Sequence, residues 1–148
     1  MLVRPATIED MSQVYDLLNA LRMESIWATI PVTPIQPYVN AHLLMILHDP
    51  EQRLVVADRE GELVGICRGT ISSHEYLPGL RYLAERDLYV LPRYRGFVVG
   101  KALWGDLLAW GKAQGAYGAC YGKITRLTEK RCVEEVMWRV FDQEPIHA

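Results

Sequence analysis

The stretch from Leu83 to Gly115 constrains the chain most, because it reads as strand, tight turn and helix in immediate succession. Leu88-Tyr89-Val90-Leu91 is a short apolar run rich in strand formers. Pro92 ends it, since proline cannot donate to a sheet ladder and restricts the residue before it. After Arg93-Tyr94-Arg95-Gly96-Phe97-Val98-Val99-Gly100-Lys101, the residues Ala102, Leu103, Leu107, Leu108 and Ala109 recur at helical spacing, with Trp104 and Gly111 on the same side. A glycine-bearing turn that feeds a helix offers main-chain N–H groups and the positive end of the helix dipole to an anion. Two arginines and one lysine within those nine residues add charge of the matching sign. Such a segment suits phosphate.

Spacing narrows the ligand. A nucleoside-triphosphate loop requires G-x-x-x-x-G-K followed by Ser or Thr. Here the interval from Gly96 to Gly100 is one residue short, and Ala102 stands where the hydroxyl is needed. A dinucleotide fingerprint requires three glycines, and this stretch has two. The segment instead resembles the acyl-CoA pyrophosphate loop of the GNAT N-acetyltransferase superfamily, whose pattern is Q/R-x-x-G-x-G/A after a strand ending V-x-P. Arg93-Tyr94-Arg95-Gly96-Phe97-Val98 matches it after Leu88-Tyr89-Val90-Leu91-Pro92, with Val98 standing where the family has Gly or Ala.

Composition excludes several other classes. At 148 residues, 50% hydrophobic and 23% charged, the chain is expected to form one globular domain spanning 1–148. A net charge of −2 gives no general pull towards nucleic acid or an anionic membrane, so neither partner is expected. Cys67, Cys120 and Cys132 are odd in number and lack C-x-x-C spacing, so no disulfide framework and no metal site is expected. A reducing, cytoplasmic setting follows. Arg4, Glu9 and Asp10 exclude a secretory apolar segment at the start, and no apolar run approaches the ~18 residues of a bilayer span.

In chain order, Leu2 to Pro5 is a strand candidate, and Thr7 with Asp10 makes a capping-box-like helix start. Ile8, Met11, Val14, Leu17, Leu18 and Leu21 mark one helix face. A second helix is predicted from about Pro37 to His48, ended by Asp49-Pro50. Arg53 to Asp58 and Leu63 to Ile71 read as a hairpin turning at Glu60-Gly61. Gly65, Cys67 and Gly69 leave one strand face nearly bare, open to either a helix or a ligand. Gly115-Ala116 caps the helix of the central stretch, and a strand is predicted from Tyr117 to Lys123. Val133, Val136, Met137 and Val140 predict a last helix over Leu127 to Val140, with Gln143 to His147 as a short final strand. The fold expected is α/β and GNAT-like, a mixed twisted sheet of six or seven strands flanked by about four helices.

The resemblance implies roles residue by residue. Arg93, Arg95, Gly96, Phe97, Val98, Val99, Gly100 and Lys101 would cradle the diphosphate of acetyl-CoA or another acyl-CoA. Leu88, Tyr89 and Val90 would lend main-chain groups to the pantetheine arm. Glu85 and Asp87, two residues apart and so on one face of a regular strand, are candidates for the base that takes the proton of an attacking amine. His74 and Glu75 are weaker base candidates. Trp138 falls where the family often has a tyrosine on its last helix; an indole cannot serve as an acid, so Trp138 would hold the sulfur or close the tunnel, with Tyr121 as substitute acid. Trp27, Tyr38, Glu75 and Tyr76 would frame the acceptor, with Glu24 or Glu75 pairing its ammonium. Cys67 and Cys120 lie in apolar strands, where a thiol is inert.

The expected activity is acyl transfer from acyl-CoA to the primary amine of a small molecule or peptide by direct attack in a ternary complex, without metal. A homodimer is common in the resembling family. Two other readings stand beside it: an acyl-CoA-binding or scaffold protein that kept the fold, to which Val98 and Trp138 point, and nucleic-acid binding through Arg93, Arg95 and Lys101, which the acidic net charge disfavours.

Overall fold

Thr7 opens the first helical segment by donating its N–H and hydroxyl to Asp10 Oδ2, at 2.7 and 3.2 Å. This is the capping box expected from the sequence. A computed structural model of the chain describes residues 1–128 and 131–142. The strands are β1 (Leu2–Pro5), β2 (Gln52–Arg59), β3 (Glu62–Ser73), β4 (Arg81–Val90), β5 (Gly118–Thr128) and β6 (Arg131–Val140). The helices are α1 (Met11–Met23), α2 (Gln36–His48) and α3 (Phe97–Ala113). Six strands lie side by side in chain order. Every neighbouring pair is antiparallel except β4 and β5, which run parallel with α3 as their crossover.

The sheet is covered on both faces. Val14, Leu17, Leu43 and Ile46 of α1 and α2 pack with Leu54, Val56, Ile66 and Tyr89. Leu103 and Leu107 of α3 pack on the other side with Val55, Val64, Cys67, Leu83 and Ala119. Burial from both sides explains why Leu54-Val55-Val56-Ala57 is continuously apolar rather than alternating. The bare strip at Gly65 and Gly69 belongs to a helix: a Cβ on Gly69 would lie 2.9 Å from both Leu107 and Leu83 methyls, and one on Gly65 3.0 Å from Leu103. Small residues let α3 approach the sheet closely.

One predicted element changes type. The described residues of the segment read as a last helix over Leu127 to Val140 are the end of β5 and the whole of β6, which pair antiparallel in a register from Gly118 opposite Val140 to Thr128 opposite Arg131. Val133, Val136, Met137 and Val140 fit a helical spacing, but valine favours extended backbone, and the ladder to β5 supplies partners that a lone helix lacks. Three α-helices therefore flank the sheet among the described residues, against about four expected. The strand predicted over Gln143 to His147 lies outside the described residues.

Candidate active site

The site is built by a defect in β4. Along most of its length β4 pairs with β3, but the register passes from Arg68 opposite Asp87 to Gly69 opposite Glu85, leaving Arg86 as an extra residue. On its other side β4 meets β5 only at Leu83–Ala119 and Ala84–Cys120. Beyond Ala84 the two parallel strands part. Leu91 N–H donates to Val64 O at 2.9 Å, so Tyr89 and Leu91 direct their main-chain groups at β3. By the alternation of an antiparallel ladder, Leu88 and Val90 direct theirs towards the opening.

A cleft of about 580 Å³ fills the space between this part of β4, Gly122 of β5 and the end of α1. Its walls include Leu18, Leu21, Arg22, Ser25, Trp27, Glu85, Arg86, Asp87 and Leu88. Both acids singled out in the sequence reach it, but not side by side. Glu85 and Asp87 hang opposite consecutive residues of β3, so the bulge turns them to opposite faces, where a regular strand would have set them on one. Asp87 accepts from Arg68 Nε at 2.6 Å, with each side chain about one-fifth exposed.

The loop that follows β4 is held by its own arginines. Arg93 pairs with Glu62 and lies 4.9 Å from the Tyr94 ring, while Tyr94 donates to Glu62 at 3.1 Å. Arg95 Nε donates to Val90 O at 2.9 Å, and its guanidinium sits over Tyr89, 5.3 Å from the ring centre. Its Nη2 donates to the carboxylate of Glu24, which also accepts from Tyr89 Oη at 2.7 Å. Arg95, then Tyr89, hold the Glu24 carboxyl below the usual carboxylate range; burial, then Glu24, pushes the Tyr89 phenol up. Glu24, expected to meet an acceptor ammonium, is thus committed to the loop.

Gly96 caps α3 without a side chain to satisfy the first N–H groups, at φ 157°. A Cβ on Gly96 or Gly100 would meet nothing within 4 Å, and Val98 is exposed. The helix mouth is open to solvent.

Of the remaining predicted positions, Trp27 alone is in the described lining of the cleft. Tyr121 packs on Trp104 with ring centres 5.1 Å apart. Trp138 stands on β6, not on a helix, opposite Cys120 and 5.3 Å from the Tyr82 ring. Tyr38, Glu75 and Tyr76 are exposed and absent from the described lining, whereas Trp27 is part of it. His74 Nδ1 accepts the N–H groups of Tyr76 and Leu77, each at 3.1 Å. Burial pushes the Cys67 thiol up, as inertness requires. Sequence reasoning missed Arg22, Ser25 and Arg86; Arg22 follows the apolar stripe of α1 directly, at four residues from Leu18, which was the available signal.

Residues 13–133 match the acetyltransferase (GNAT) family. The chain belongs to that family. No curated protein sequence matches it. Solved structures similar to this GNAT chain include glucosamine-6-phosphate N-acetyltransferase from Arabidopsis thaliana, at 18% identity and TM-score 0.68, covering 84% of this chain and 82% of that one. Ribosomal-protein-alanine N-acetyltransferase from Brucella melitensis matches at 20% identity and TM-score 0.67, covering 84% and 75%. AAC(6')-Iy, in complex with the bisubstrate analogue CoA-S-monomethyl-acetylneamine, matches at 17% identity and TM-score 0.68, covering 84% and 80%. These likenesses establish the GNAT fold, with acyl transfer as the family's general chemistry. Among the described residues no helix is long and apolar enough to cross a membrane, and no cluster of His, Cys, Asp and Glu suits a metal.

Proposed function

We propose that the chain transfers an acetyl or similar acyl group from acyl-CoA to a primary amine by direct attack in a ternary complex. The observation that carries this reading is the parting of β4 from β5 beyond Ala84, beside the open start of α3. Main-chain N–H groups from Phe97 to Gly100 receive the diphosphate oxygens, helped by the helix dipole. The main chain of Leu88 and Val90 lines the pantetheine arm, and an N–H near Val90 polarises the thioester carbonyl. Arg93 and Arg95 shape the loop through Glu62 and Glu24.

An ammonium is no nucleophile, so the acceptor must lose a proton before its nitrogen attacks the carbonyl carbon. Glu85 or Asp87 takes that proton, directly or through water. The new C–N bond forms as the C–S bond breaks, CoA leaves as a thiolate, and the second proton of the attacking nitrogen passes to that thiolate or to water. A thiol with a pKa near ~8.5 leaves without an enzymic acid. That accords with an indole at Trp138 and with Tyr121 packed on Trp104.

The test is thiol release from acetyl-CoA against a panel of amines, beside a calorimetric CoA titration. Amine-dependent release with saturable CoA binding is expected. CoA binding without release to any amine would favour a non-catalytic acyl-CoA binder; no CoA binding would remove both readings.

A further inference from the structure

The cleft holds two arginines whose charges have no carboxylate partner among the described residues. Arg4, Arg53, Arg68, Arg81, Arg93 and Arg95 all sit in ion pairs. Among the described residues Arg22, Arg59, Arg86 and Arg139 do not; Arg59 lies over the Tyr94 ring, and Arg22 and Arg86 are the two of these that line the cleft. Arg22 donates to Asn19 Oδ1 at 3.3 Å and to the Met23 sulfur at 3.3 Å, both neutral. Arg86 donates to the Thr70 hydroxyl at 3.3 Å, also neutral. Both line the cleft, Arg22 from the last turn of α1 and Arg86 from the bulge in β4. Of the two acids there, Asp87 is balanced by Arg68. The cleft therefore presents two guanidinium groups outside any ion pair, beside the Glu85 and Asp87 carboxylates, to whatever enters it.

We infer that the acceptor carries an anionic oxygen group, a carboxylate or a phosphate, close to its amine, and that Arg22 and Arg86 bind that group. A guanidinium presents a planar fork of N–H donors that fits either anion through paired charge-assisted hydrogen bonds. Arg86 is the sequence neighbour of both base candidates, so an anion held there leaves the amine of a small molecule within reach of Glu85 or Asp87. A polycationic amine meets the same two charges as repulsion. Trp27 and Leu21 provide apolar wall for the part of the acceptor between its two charged ends. The position of the amine rests on the transfer reading above; the anion site rests only on the arginines.

The test compares matched amines: ethanolamine with O-phosphoethanolamine, glycinamide with glycine, glucosamine with its 6-phosphate, and spermidine as polycation. Thiol release should favour the anionic member of at least one pair by tenfold or more in kcat/KM, and the pair that responds tells phosphate from carboxylate. Arg22→Gln and Arg86→Gln should each raise KM for that amine by about tenfold more than KM for its neutral partner. Arg22→Lys should restore part of the loss. The same amines are added to CoA-saturated protein in a melting assay, which needs no turnover. A rise in Tm with the anionic member, lost in Arg22→Gln, upholds the anion site even if thiol release is absent, which would strike the transfer reading alone. Neutral or polycationic amines preferred in both assays, no response to any anionic amine, or an anionic preference untouched by either substitution would overturn the inference.

Discussion

Arg95, at the turn into α3, binds the carboxylate of Glu24 at the end of α1, while Tyr89 of β4 donates to the same carboxylate. One acid thereby ties the helix bordering the cleft to the loop that opens α3. Glu24→Gln is expected to lower stability at neutral pH by only about 0.5–1 kcal/mol, because both partners are nearly half exposed and well screened. The folded carboxyl lies below its ordinary value of 4.5, so its contribution is present above that pH and is lost as pH falls through the folded value. Urea unfolding of wild type and variant should therefore differ at pH 7 and converge in acid.

Glu85 and Asp87 are separable because the bulge sends them to opposite faces, with Asp87 tied to Arg68. If Glu85 is the base, Glu85→Gln lowers kcat about a hundredfold while calorimetric CoA affinity holds. Asp87→Asn removes the partner of a largely buried guanidinium, so it is expected to lower the melting temperature as well as the rate. A rate unchanged in Glu85→Gln but lost in Asp87→Asn would transfer the role to Asp87.

Asp10 is the buried charged side chain among the described residues, 5% exposed, and it accepts from Arg4 at 2.7 and 2.9 Å and from the Thr7 N–H. Asp10→Ala leaves Arg4 short of a partner and the first helical turn without its cap, costing about 2–4 kcal/mol. The Arg4 guanidinium holds the carboxyl below its ordinary value of 3.8. Its contribution is thus complete above that pH and is lost as pH falls through the folded value. Denaturation of the pair of proteins as a function of pH reads both.

Gly118 and Gly69 are expected to respond differently to alanine. A Cβ at Gly118 would lie 2.3 Å from the main-chain oxygen of Arg139, which β5–β6 pairing holds in place. At Gly69 the obstacles are side-chain methyls of Leu107 and Leu83, which can rotate. Gly118→Ala should cost about 2–3 kcal/mol and Gly69→Ala about half that, as shifts in thermal melting followed by circular dichroism.

Val98 is exposed on the first turn of α3, at the position where the family pattern has Gly or Ala. Val98→Gly removes a β-branched side chain from the approach to the main-chain donors. CoA binding is expected to tighten by about three- to tenfold in calorimetry, despite the small loss of helix stability that glycine brings.

What the sequence determined by itself is local. The Pro92 stop, the glycine-bearing turn and the apolar stripe of α3 place strand, loop and helix without outside help, because each depends on neighbours a few residues away. The Thr7–Asp10 cap and the Glu60-Gly61 turn are of the same kind. Tertiary structure decided the rest. The spacing of Val133, Val136, Met137 and Val140 suits a helix as well as a strand, and pairing with β5 chose the strand. The bulge at Arg86 exists only in the register against β3, so no pattern within β4 announces that Glu85 and Asp87 face apart. Arg22 and Arg86, 64 positions apart in the chain, line one cleft only because α1 packs beside the parting of β4 and β5. Long-range pairing and packing energies have no signature in a single stretch of residues, and they set the chemistry of the site.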